Sequence, residues 1–259
     1  MVIPILRPLF QGAWAPLGET LVCTSSPPDE AIPVARLLHE AALMDDCLQQ
    51  HARQLGVTGA DLRATASSWC FAYLDVLLPT MVAAASVLQH VFPAQPEAMT
   101  VRLGGGAVPL GFHIGHEGIA RPGTDTAVRF GPLIDAHLAP LFAALTRQVR
   151  VAPKILWGNL ARRLDGIFDQ ALQLTGDAPP IARDRDQLLH APLWHDGRPN
   201  PMHCPQRRVI RIHSDTPLTL HRQCCLFYRL PGQGYCGACP LAPQFQPARR
   251  KLSAVAPSS

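Results

Sequence analysis

Arg222 to Leu241 reads Arg-Gln-Cys-Cys-Leu-Phe-Tyr-Arg-Leu-Pro-Gly-Gln-Gly-Tyr-Cys-Gly-Ala-Cys-Pro-Leu, and this stretch governs how the remaining residues are read. It holds Cys224, Cys225, Cys236 and Cys239, half of the eight cysteines in the chain. Thiolates are soft ligands, suited to iron–sulfur clusters and to zinc. In Cys236-Gly237-Ala238-Cys239 two intervening residues let both sulfurs reach one metal, and Gly237 relieves backbone crowding. Pro231, Gly232 and Gly234 in the intervening loop let the chain fold back and close a pocket.

Spacing alone leaves three chemistries open. Structural zinc uses C-x2-4-C pairs in both halves of a site, whereas one pair here is adjacent. Adjacent residues of extended chain point to opposite sides, so both on one tetrahedral ion would strain the backbone. A two-iron cluster offers more separated attachment points. Redox thiols, including a vicinal disulfide, are the third reading.

Charge favours the cluster. From Pro201 to Ser259 there are seven arginines and one lysine against a single carboxylate side chain, Asp215, in a chain of net charge +4. A [2Fe–2S] core with four thiolates carries a charge of about −2, and nearby cations raise its potential. Arg222 and Arg229 stand closest in sequence. The same arginines also read as solvated surface or as the landing site of an acidic partner.

Upstream of the cysteines, Arg208–Ile212 and Leu218–Arg222 alternate like two short strands joined by the turn Ser214-Asp215-Thr216-Pro217. Residues up to Pro28 are irregular. Helical spacing begins at Asp29, with Val34, Leu37, Leu38, Ala41 and Ala42 on one face, a stop at Gly56 and a restart at Thr58 and Asp61. Asp61 to Phe92 predicts one or two buried helices with a break near Pro79. Its apolar run, Val76 to Leu88, is shorter than the ~20 residues of a bilayer span. Met99 to Ile114 is a hairpin signal around Gly104-Gly105-Gly106, which lacks the continuation of a phosphate loop or dinucleotide fingerprint. Helix resumes from Gly131 to Leu174 with a break at Pro153, and a short one follows over Ala182–His190. The fold class is α+β, mainly α-helical with small antiparallel β elements and a C-terminal cysteine motif. Residues 1–200 form a helical domain, 201–245 the cysteine-bearing domain and 246–259 a flexible tail.

With 47% apolar and 16% charged residues, the 259-residue chain has ample material for a core. The scattered cysteines do not form a disulfide framework, so the compartment reads as reducing. Cys47 and Cys70 lie on helical patterns as core residues, and Cys204 stands apart from the motif. Ala13-Trp14-Ala15 resembles a signal cleavage site but lacks a positive region before it, so the cytoplasm is the expected location. His113, His116 and Glu117 are read as an ordinary turn rather than a metal site.

The cysteine segment, including Tyr228-Arg229-Leu230-Pro231 within its loop, resembles the C-terminal motif of the FhuF-type ferric-siderophore reductases. Lys154-Ile155-Leu156-Trp157-Gly158-Asn159 resembles a second, weaker patch of that family. The resemblance implies that Cys224, Cys225, Cys236 and Cys239 ligate a [2Fe–2S] cluster that carries single electrons. It implies reduction of Fe(III) to Fe(II) in a siderophore, with the hydroxamate type favoured, because ferrous iron is held far more weakly by hard oxygen ligands. The helical part would cradle the siderophore. Trp157, Asn159, Arg162 and Arg229 are the candidates for its lining, with a core aromatic and a solvated helix face as the plainer readings of Trp157 and Arg162. A flavin or nicotinamide fingerprint is lacking, so an external donor, a ferredoxin-like protein or flavin reductase, must supply electrons. The expected protein is monomeric and works in the cytoplasm, with room for peripheral association with the inner membrane beside an importer. Nucleic acid is not an expected partner, since the basic segment does not interleave aromatics. The competing functions are a zinc-stabilised binding module and an iron–sulfur electron carrier or redox sensor without siderophore turnover.

Overall fold

The computed structural model describes residues 2–210 and 216–246. Its helices are α1 (Ala15–Gly18), α2 (Val34–His39), α3 (Ala41–Gln54), α4 (Arg63–Val82), α5 (Thr126–Leu133), α6 (Ala139–Val149), α7 (Pro153–Thr175) and α8 (Pro179–Arg185). The strands are β1 (Leu21–Cys23), β2 (Ile32–Pro33), β3 (His90–Val91), β4 (Met99–Leu103), β5 (Pro109–Ile114), β6 (Ile119–Ala120), β7 (Arg208–Ile210) and β8 (Pro217–Thr219). The α+β class holds.

Helix α4 is the centre. Trp69, Cys70, Tyr73, Leu74, Leu77 and Leu78 are all fully buried on it. Such an all-round apolar helix needs partners on every side. One side packs against α7 through Leu156, Leu160, Leu164 and Phe168, and another meets the sheet, where Phe112 stands edge-on to Tyr73 at 4.9 Å. The helix does not break at Pro79. It runs on and widens into a π-helical turn over Ala83–Val87, which accommodates the strain one turn later. The stretches Arg63–Val87 and Thr126–Val149 are long and apolar enough to cross a membrane, but 61% and 56% of those windows are buried in the fold.

The expected hairpin is β4–β5, antiparallel with Val101 opposite Phe112. Two short strands extend it: β1 lies parallel to β5 and β2 antiparallel to β4. The triglycine is a turn, with Gly106 at φ +64°, where an added Cβ would collide with Gln54. Trp69 Nε1 donates to Ala107 O at 2.8 Å and pins that turn to α4. The helix expected from Asp29 starts only at Val34, because Ile32 and Pro33 join the sheet. β7 and β8 pair antiparallel, with Val209 opposite Leu218. Arg211–Asp215, which carries part of the expected strand and turn, and residues 247–259 of the expected tail lie outside the described residues.

The buried polar residues include an ion pair and a histidine whose partners are fully in place. Arg129 and Asp184 form a two-pronged ion pair at 2.6 and 3.0 Å, closed by Ser86, Thr126 and the Ala85 carbonyl. His137 lies between the Ala94 carbonyl and the Tyr73 hydroxyl, both at 2.7 Å. A carbonyl only accepts, so Nδ1 carries the proton and Nε2 accepts from Tyr73. Burial lowers the His137 pKa to about 4. The unfolded chain therefore takes up a proton between about pH 6.5 and pH 4 that the folded state refuses. Stability from this group is complete above pH 6.5 and falls by up to about 3 kcal/mol as pH drops through the window. Urea midpoints measured at pH 7 and pH 5 should show the loss. A His137→Gln variant should have a flatter pH profile, at a cost in stability at pH 7.

Candidate metal centre

The cysteine segment follows β8 and lies over the outer faces of α4 and α7. The Leu220 amide donates to Arg207 O and the His221 amide to Ala238 O, so the ends of the motif are tied across each other. Leu226 adopts a left-handed backbone, φ +64°, which turns the chain sharply after the vicinal pair. Its amide then points at Cys224 Sγ, 3.3 Å away. The chain therefore does not stay extended past Cys225. Phe227–Arg229 forms a short 3-10 turn, Gly232 a left-handed bend, and the Cys239 amide closes on Cys236 O at 3.0 Å.

The sulfurs of Cys224 and Cys239 lie 3.8 Å apart. Two sulfurs on one tetrahedral metal, each at about 2.3 Å, are separated by about 3.8 Å. Cys224, Cys225 and Cys239 are buried, and Cys236 is half-buried. Burial, then repulsion from Cys239 and Cys225, pushes the Cys224 thiol up to about 12. Burial and the neighbouring thiols Cys225 and Cys239 raise Cys236 as well, while Arg162 pulls it down. All four thiols thus form one electrostatic group, which a metal core would convert to thiolates. All eight cysteines are free. Among the described residues no three His, Cys, Asp or Glu side chains converge as a ready-made metal group. Four thiolates are the soft ligand set of both a zinc ion and a two-iron core. The donor set fits a [2Fe–2S] cluster.

Residues 67–215 match the family of the ferric iron reductase FhuF-like transporter, and residues 222–241 match the FhuF 2Fe-2S C-terminal domain. The first match alone spans more than half of the chain. The chain belongs to the FhuF-like family. The family's C-terminal domain brings a [2Fe–2S] cluster as its cofactor. A ferric siderophore reductase from Escherichia coli (strain K12) is 28% identical over 113 residues, 44% of this chain and 40% of that protein. The matched part thus spans about two fifths of that relative. The ATP-bound aerobactin synthetase IucA from a hypervirulent pathotype of Klebsiella pneumoniae shares the fold at a TM-score of 0.58 and 14% identity, over 77% of this chain and 48% of that one. A second structure of the same synthetase gives a TM-score of 0.53 at 15% identity, over 67% and 38% of the two chains.

On this FhuF-like scaffold, one candidate lining residue, Arg162, reaches the cysteine segment from α7, and another, Arg229, reaches out of that segment to Asp61. Arg162 Nη2 donates to Gln223 O at 3.2 Å, and Arg229 pairs with Asp61 at 2.7 Å. Asn159 is 1% exposed and donates to Ser67 Oγ and Ser67 O, fastening α7 to α4. Trp157 packs edge-on between Phe142 and Trp194, at 5.0 and 5.7 Å. Trp194 in turn lines a cavity of about 640 Å³, together with Asp125, Phe130, Asp135 and Leu193. The histidines of the 113–117 segment are engaged with backbone: His113 with Thr24 O and His116 with the Gly118 amide.

Sequence reading missed the supports beneath the motif. Phe71 of α4 stands edge-on to Phe227 at 5.5 Å, with the Arg163 guanidinium 4.1 Å above its ring. Gly158 of α7 lets Gln223 approach: an added Cβ would lie 2.6 Å from the Gln223 Cβ. Only the resemblance of Lys154–Asn159 to a family patch pointed there. Gly158→Ala should force the cysteine segment off α7 at a cost of about 1–3 kcal/mol. The check is iron content and the thermal midpoint of the variant, with the same alanine at exposed Gly166, which has open space, as the control.

Proposed function

We propose that Cys224, Cys225, Cys236 and Cys239 hold the [2Fe–2S] cluster and that the protein is a cytoplasmic ferric-siderophore reductase. The observation that carries this reading is the 3.8 Å Cys224–Cys239 sulfur pair inside the four-cysteine segment that matches the 2Fe-2S domain. The relative named as a ferric siderophore reductase supports the substrate class.

The cluster supplies one electron at a time. The chain's own residues do the rest. Burial of Cys224, Cys225 and Cys239 keeps water from three of the four sulfurs, while half-buried Cys236 marks the solvent edge. Tyr235 and Leu241 are exposed beside that edge, and Tyr228 stacks on Tyr235 at 4.6 Å. This gives a partner an aromatic and apolar surface set among arginines, suited to an acidic electron donor. The substrate is a ferric chelate whose metal accepts one electron and then leaves its hard oxygen ligands as Fe(II). The cavity beside Trp194 has the size of a small-molecule site. It connects to the cysteine segment through Trp157, which supports Trp194, and its neighbour Gly158, which touches Gln223.

The test uses anaerobically purified protein with iron, sulfide and zinc assays, optical and EPR spectra, and ferrous release from a ferric trihydroxamate under a chemical reductant. Equal iron and sulfide, a reduced S = 1/2 signal and release that depends on the cluster support the reading. One zinc and no colour after reconstitution would leave a binding module. A reducible cluster without ferrous release would leave an electron carrier.

A further inference from the structure

We propose that the cavity walled by α5 and the Leu193–His195 segment seats the ferric chelate and selects chelates of net positive charge, with Asp125 setting that preference. The inference rests on the reading of the substrate as a ferric siderophore, and it concerns binding alone.

The chain is basic overall, at net charge +4 with 23 lysines and arginines. None of these lines the cavity of about 640 Å³. Its lining carries two carboxylates, Asp125 and Asp135, with His195 as the other titratable group. Asp125 holds the N-cap position of α5, where a carboxylate ordinarily accepts from first-turn amides. It makes no such bond here, and among the described residues it has no ion-pair partner. Its exposed carboxylate is thus left to the cavity that it lines. Asp135 binds Arg198 at 3.2 Å, and Arg198 also pairs with Asp196, so two carboxylates face one guanidinium. That guanidinium lies over the Trp194 ring, 5.3 Å from its centroid. Two lining residues therefore already receive a cation from the chain itself, one by charge and one by its aromatic face.

The rest of the lining is mostly apolar. Phe130 and Ile134 are buried in the wall, while Val128 and Leu193 are 50% and 54% exposed. Apolar walls with a few polar groups suit an organic ligand with aliphatic arms. Charge then discriminates among ferric chelates of similar size. Three hydroxamates cancel the charge of Fe(III), so such a chelate takes the charge of its chain ends and is positive where it carries a free amine. Three catecholates leave a strongly negative chelate, which Asp125 and Asp135 repel.

The experiment is calorimetric titration of the full-length, cluster-loaded protein with gallium chelates, which cannot be reduced by the cluster. The probes are the gallium complex of a linear trihydroxamate with a terminal amine, the same complex with the amine acetylated, and the same with it succinylated, giving a positive, a neutral and a negative ligand of one architecture. Wild type should bind the positive complex about three- to fivefold more tightly than the neutral one, the range of an exposed charge pair, and the negative complex more weakly still. Asp125→Asn should remove the difference between the positive and neutral complexes. Glu30→Gln, at an exposed carboxylate outside the cavity, should leave it unchanged. Ala127→Leu, which adds bulk to the lining, should weaken all three complexes. Equal affinities in wild type overturn the inference, as does a preference that survives in D125N or binding that A127L leaves untouched. Should A127L fail to fold, D125N decides alone. Absence of any gallium binding also overturns it, and ferrous release from the ferric chelate would then leave the proposed function standing. Charge-selective binding without ferrous release is the opposite case: the site is as inferred and the reductase reading fails.

Discussion

Cys224→Ser is expected to yield a folded protein that retains almost no iron or sulfide. Cys224 is 8% exposed, and its sulfur is the one seated 3.8 Å from that of Cys239. A serine hydroxyl there stays protonated under the same burial that holds the thiol near 12, and it is a hard donor where a soft one is required. The visible bands and the reduced EPR signal should disappear together. The helical body should survive, because Cys224, Cys239 and Ala242 form a small apolar cluster of their own, separate from the main core around α4. Far-UV circular dichroism should therefore be close to wild type. Cys204→Ser is the control: its sulfur lies 3.8 Å from Arg222 O, beside the motif, yet the substitution should leave the cluster in place. Full cluster retention by Cys224→Ser would remove that residue from the ligand set.

Asp184→Ala should produce the largest loss of fold stability. The carboxylate is fully buried and satisfies Arg129, itself 5% exposed, as well as Ser86 and Thr126. Deleting one partner of such a pair leaves a buried charge uncompensated, which costs about 3–5 kcal/mol. A domain is stable by only about 5–15 kcal/mol, so the denaturant midpoint should fall steeply. The pair ties α5 and α8 to the π-helical turn that ends α4, and α4 carries Phe71 beneath the cluster loop. Iron loss in this variant should accordingly follow unfolding rather than precede it. A cost under about 1 kcal/mol would mean that Arg129 finds water or another partner, against the reading of this site as sealed.

The helices and the cysteine segment were legible in the sequence for different reasons. Leu74, Leu77 and Leu78 announce a buried helix because periodicity and hydrophobicity are local properties. Pro153 marked a break in the helical stretch, and it opens α7, because its missing N–H is harmless at the first helical position. Pro79 misled, since tertiary packing on both sides of α4 holds the helix through it. Strands of three and two residues, such as β1 and β2, are too short to show a period, so the sheet read as a bare hairpin. At the site, the four cysteines were visible as a motif, but their supports were not. Phe71, Asp61 and Gly158 lie far away in sequence, and each takes its role only when α4 and α7 meet the C-terminal segment. Arg129 and Asp184, 55 residues apart, were equally silent as separate charges.

The central claim is tested most directly by a single anaerobic turnover. Reduced protein, freed of excess reductant, is mixed with a ferric trihydroxamate and a ferrous trap, and cluster oxidation and ferrous iron are followed together. The account predicts that the cluster is reoxidised as one Fe(II) appears for each electron lost, and that cluster-free Cys224→Ser yields none. A cluster that stays reduced beside intact ferric chelate would contradict it.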